Sequence, residues 1–100
     1  MDLEVIEGLN KSEIFERLNT LKNFIEEHKI SIQNRKTNSF IRKIFDCCDC
    51  NNIVSVVIYS NNTVKISGED SMLKESIISI LKKRKFNTGD FDYFHQLNKG

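Results

Sequence analysis

The 100-residue chain has no proline, no tryptophan and no alanine, only four glycines and only three cysteines. Each scarcity excludes something. Gly8, Gly68, Gly89 and Gly100 stand alone, so no glycine-rich loop is present to cradle a phosphate. Three cysteines do not make the disulfide framework of a small secreted protein. No run approaches the ~18 consecutive apolar residues of a membrane span. No G-x-S-x-G or comparable nucleophile motif occurs. The start, Met1-Asp2-Leu3-Glu4, is acidic and lacks the apolar core of a signal peptide, which sets the expected location as cytoplasmic.

The missing residue types also carry information about origin. Alanine and proline have GC-rich codons, whereas the abundant isoleucine, asparagine and lysine have AT-rich ones. An AT-rich genome explains the bias, as in many bacteria, their phages, large DNA viruses and some protists, and a phage or viral accessory protein fits it. The physical consequence is local. Helices must rest on Leu, Lys and Glu, and turns on Asn and Gly.

What is present suits one small globular domain spanning residues 1–100. Hydrophobic residues make up 39% and charged residues 29%, enough for a single core and too apolar for a disordered chain. The formal net charge of +1 creates no global field for nucleic acid or anionic membrane. Charge is nevertheless uneven: residues 1–27 are rich in acids, and residues 28–50 and the C-terminal half are rich in bases.

The patterning predicts an α+β fold, an antiparallel β-hairpin packed against three to four helices. Ile14, Leu18, Leu21 and Ile25 recur at helical spacing, with Phe15 and Phe24 widening the stripe, which gives a helix at about 12–28 capped by Ser12. Phe40, Ile41, Ile44, Phe45 and Cys48 suggest a second helix at about 38–48. The β-branched run at 53–60 and the return at 63–67 form the hairpin, turning on Asn61-Asn62. Val54, Val56, Ile58, Val64 and Ile66 should face inward. A helix at about 71–85 follows Glu69-Asp70-Ser71, and a short one at 90–97 carries Phe91, Phe94 and Leu97. Residues 3–9 or 30–33 would add a short strand.

Four constellations are candidates for function. The first is Asp46-Cys47-Cys48-Asp49-Cys50, which contains a C-x-x-C. A zinc site would need a fourth ligand from distant His28 or His95, and a redox site would need a helix N-terminus rather than the helix C-terminus expected here. Free cysteines packed near the core are the plainer explanation, so no metal ligand or cofactor is assigned. The second is basic: Arg35, Lys36, Arg42 and Lys43 together with Lys82, Lys83, Arg84 and Lys85 would contact phosphates if they shared a face. Cations at a helix C-terminus also simply complement its dipole. The third is the aromatic tail, where Tyr93 is the residue left outward by the helical spacing of its neighbours, and aromatics anchor interfaces. The fourth is the hairpin strand at 63–67. If it is an edge, the backbone at Thr63, Lys65 and Ser67 can pair with another chain or a second copy, giving a homodimer through the hairpin edge.

No convergent set of polar groups suggests catalysis. The expected function is therefore a small non-enzymatic protein-binding module, such as an inhibitor, an immunity protein or an accessory subunit. The alternative is a nucleic-acid-binding domain using residues 35–43 and 82–85. A metal-binding protein using Cys47, Cys48 and Cys50 ranks behind both.

Overall fold

A computed structural model describes residues 3–83 of the chain. In chain order the elements are β1 (Glu4–Ile6), α1 (Lys11–Glu27), β2 (Ser31–Arg35), β3 (Ile41–Cys48), β4 (Ile53–Tyr59), β5 (Val64–Gly68) and α2 (Met72–Leu81). The strands form one antiparallel sheet in the order β1-β5-β4-β3-β2. The class is α+β, as the sequence indicates, but the described residues hold five strands and two helices. The helix expected at 90–97, with Tyr93, lies outside the described residues, as do Arg84 and Lys85.

The largest correction is at 38–48, where residues 41–48 are strand rather than helix. Its apolar residues at 41, 44, 45 and 48 match a helical spacing, yet a short apolar run is ambiguous by periodicity alone. Tertiary pairing decides the matter. A two-stranded hairpin is marginal in water, and β4 has a second edge to satisfy. The segment pairs there along its length, from Ile41 opposite Tyr59 to Cys48 opposite Ile53, with a bulge between Ile41 and Lys43. The bulge re-phases the strand so that Phe45 and Cys47 face the core. Both optional strands also form: β1 from the 3–9 segment and β2 from the 30–33 segment.

One face of the sheet carries both helices. Val54, Val56 and Ile58 of β4, Val64 and Ile66 of β5, and Phe45 and Cys47 of β3 are buried there with Leu21, Phe24 and Ile25 of α1 and Leu73, Ile77 and Leu81 of α2. The hairpin alternation is as the sequence indicates. At ~25 cal/mol per Å² of apolar surface, this one cluster supplies most of the folding drive.

The helix ends follow from local chemistry. Asn10, rather than Ser12, caps α1: its side chain accepts from the Glu13 N–H at 2.8 Å, and the Glu13 carboxylate accepts from the Asn10 N–H at 3.1 Å. At the other end Lys29 has a positive φ of 56°. The Ile30 N–H donates to Ile25 O and the Lys29 N–H to Glu26 O, the Schellman pattern, with Ile25 and Ile30 both buried. Ser71 caps α2 by accepting from the Lys74 N–H. The hairpin turn is one residue longer than expected. The Asn62 N–H donates to Tyr59 O and the Tyr59 N–H to Thr63 O, and only Asn62 takes a positive φ, at 69°. This is a type I turn followed by a left-handed residue.

Candidate protein-docking groove

The two helices do not cover the whole sheet. α2 packs over β5 and α1 lies beside α2, while every residue of β2 is exposed. Between α1 and the β2–β3 side of the sheet runs a groove of about 430 Å³. Phe15, Leu18 and Ile25 of α1 form one wall, Ile32 of β2 the other, and Phe45 of β3 contributes to the lining. Lys22, Glu26, Asn34 and Lys43 add polar groups.

Its walls expose two large apolar side chains, as the chain also does at Phe40, Ile53 and Leu3 outside the groove. Phe15 is 67% exposed and Ile32 47%. Phe15 shares a flank of α1 with Leu18 and Lys22, one step round the helix from the buried stripe. Sequence reasoning placed Phe15 in that stripe. A position 100° from its neighbour can fall on either side of the boundary, and the identity of the opposing strand decides which. Ile32 is legible in the sequence only as part of the short strand expected at 30–33. The nearby Lys43 ammonium sits 6.0 Å from the Phe45 ring centroid, inside cation–π range.

The expected edge at Thr63–Ser67 is not an edge. β5 is paired on both sides, with β4 and with β1. Lys65 and Ser67 point to the face away from α1 and α2, where the Lys65 ammonium lies 5.1 Å from the Tyr59 ring, and the Thr63 N–H is taken by the Asn61 side chain. Among the described residues the sheet edges are β1 and β2. β1 has three residues and β2 five, so β2 offers the longer row of free backbone groups.

The basic residues are largely paired. Lys82 contacts Glu4, Lys83 contacts Glu16 at 3.4 Å, and Arg35 contacts Asp46 at 3.3 Å. Arg42 donates to Ser60 O across the bulge, and Lys36 is exposed. Neutralised in this way, Lys82, Lys83 and Arg35 present less positive potential than the sequence count suggests.

The cysteines do not converge. Strand alternation sends Cys47 to the core and Cys48 to the face away from α1 and α2, and Cys50 is exposed beyond the strand. Burial, with Cys48 and Asp46 adding to it, pushes the Cys47 thiol up to about 12, the opposite of a reactive thiolate. Among the described residues, no group of three His, Cys, Asp or Glu side chains is placed to hold a metal ion. Asp49 instead organises the β3–β4 turn, accepting from the N–H groups of Asn51 and Asn52. No helix among the described residues is long and apolar enough to cross a membrane.

Comparison with known proteins finds no matching family model, no similar curated protein and no similar solved structure.

Proposed function

We propose that the chain is a non-enzymatic protein-binding module of the kind used as an inhibitor, an immunity protein or an accessory subunit. Its docking surface is the groove between α1 and β2. One observation carries the reading: a concave apolar surface flanked by two solvent-exposed hydrophobic side chains, Phe15 and Ile32, opens directly onto a strand edge that no described residue pairs with. Exposed apolar side chains gathered around a concavity suit an interaction site. A partner there would fill the groove with side chains and add backbone hydrogen bonds along β2.

Photo-crosslinking of the full chain in its native host tests the reading. A benzophenone side chain replacing Phe15 should give a discrete protein adduct that Ile32→Asp suppresses. The same group replacing Asn61, on the hairpin turn, should give none. Equal labelling from both positions, or no protein adduct from position 15, would sink the proposal. A salt-sensitive gel shift that vanishes on reversing Lys36, Lys82 and Lys83 would favour the nucleic-acid reading instead.

A further inference from the structure

We infer that the partner in this groove is a second copy of the same chain, joined β2 to β2 in an antiparallel pair about a two-fold axis at Gln33. The inference rests on the protein-binding reading above and names its partner.

Edge strands of monomeric proteins are usually guarded by proline, a bulge, an inward lysine, charged side chains or short length, and the one charge on β2 is Arg35 at its end. β2, Ser-Ile-Gln-Asn-Arg, has none of the first three and is the longer of the two edges. Its bulge-bearing neighbour β3 lies on the inner side, and β2 itself pairs with it in unbroken register from Ser31 opposite Cys48 to Arg35 opposite Ile44. The strand therefore carries no bulge where a second strand would add.

The sequence of β2 is self-complementary in that arrangement. With the axis at Gln33, Gln33 faces its own copy. Ile32 faces Asn34 of the second copy, and Ser31 faces Arg35. The strand's single charge never meets its like, because the two arginines lie at opposite ends of the junction. A one-residue shift would turn the wrong faces together, since the core-side residues Ile32 and Asn34 must stay on the helix-bearing side of the joined sheet.

Charge on α1 is complementary as well. A two-fold axis perpendicular to the sheet makes the two α1 helices antiparallel over the junction. Lys22 and Glu26 flank the groove one turn apart on the same side of α1. Neither has an ion-pair partner among the described residues. Reversed helix direction brings Lys22 of one copy toward Glu26 of the other. Between the helices and the continuous sheet, the two grooves merge, and Phe15 and Ile32 leave water. A strand edge alone falls short of the ~800 Å² per partner of a stable interface. The groove walls add apolar surface to that edge.

The test is solution mass and symmetry. Sedimentation velocity of the full chain should give a concentration-dependent species near twice the 11.7 kDa chain mass. Lys22→Glu should weaken it about tenfold by opposing like charges across the axis, and adding Glu26→Lys should restore it. In a Cys48→Ser, Cys50→Ser background, Gln33→Cys should be joined to itself by a short bis-maleimide, because only the axial residue meets its own copy. Asn61→Cys should not be joined. A chain that stays monomeric, or a dimer that Gln33→Cys does not link and Lys22→Glu does not weaken, overturns the inference. A monomer that still gives a Phe15-directed adduct with a different protein would overturn this inference alone and leave the protein-binding reading standing.

Discussion

Replacing Gly68 with alanine should be among the most damaging single changes in the sheet, although it adds one methyl group. Gly68 has φ of +144°, and a Cβ there would lie 2.7 Å from the Ile53 carbonyl oxygen and 3.3 Å from Val54 Cα. Both are backbone atoms of β4, the strand with which Gly68 pairs opposite Val54, so neither can swing aside as a side chain would. Two costs follow. A side chain held in this backbone region costs roughly 1–3 kcal/mol. Relieving the overlap also opens the last pair of the β4–β5 ladder, at about 1 kcal/mol for a hydrogen bond. The Gly68 carbonyl is moreover an acceptor for the Lys74 ammonium, at 3.1 Å, and Lys74 is only 2% exposed, so movement here disturbs the start of α2. A total of about 2–4 kcal/mol follows from these. At roughly 4–8 °C per kcal/mol for a domain of this size, the melting temperature should fall by about 8–32 °C. Gly8 is the internal control. It too has a positive φ, +81°, but nothing lies within 4 Å of a Cβ built there. Gly8→Ala carries only the conformational penalty of about 1–2 kcal/mol, partly offset by a less mobile unfolded chain. Urea unfolding followed by circular dichroism at matched m-values measures the difference. Equal destabilisation by the two substitutions, within ~0.5 kcal/mol, would refute the steric argument.

Three further outcomes follow from the same structure. Asn10→Ala should cost about 1 kcal/mol by removing half of the α1 capping box, whereas Ser12→Ala should be near neutral; thermal melts of the pair distinguish the cap seen here from the one the sequence suggested. Cys47 gives a pH dependence: the unfolded thiol loses its proton near 9.0 while the folded one holds it to about 12, so its contribution is full below pH 9 and is lost between pH 9 and 12. Melts across that window should therefore slope less steeply for Cys47→Ala than for the parent chain, and a thiol reagent at neutral pH should label Cys50 at once and Cys47 only on unfolding. Phe15→Ser should leave stability within ~0.5 kcal/mol, because the ring is mostly solvated, yet should abolish the Ile32-sensitive association; a large loss of stability would place Phe15 in the core after all.

What could be read before the fold was visible follows from how far each decision depends on distant residues. α1, α2 and the β4–β5 hairpin were legible because their period is written locally: Ile14, Leu18, Leu21 and Ile25 define a helix face without reference to anything else, and Val54, Val56 and Ile58 define a strand face. β3 was not, because Ile41, Ile44, Phe45 and Cys48 satisfy both periods. Only pairing with β4 on one side and β2 on the other separates them, and a one-residue bulge near Arg42 blurs the alternation further. Misreading that one segment had a larger consequence for the site than for the fold. With 38–48 helical, the hairpin stands alone and 63–67 becomes an edge; with it in the sheet, β5 turns interior and the free edge moves to a polar stretch with little hydrophobic signal of its own. The cysteines moved with it, from a helix end where three thiols share a turn to a strand that sends neighbours to opposite faces. The groove is thus a property of no segment taken singly. It exists because five strands are covered by two helices among the described residues, leaving Ile32 and the outer flank of α1 facing each other across open space. An exposed Phe15 beside a correctly read helix stripe was the one local sign of it, visible as a stripe wider than a two-helix layer needs.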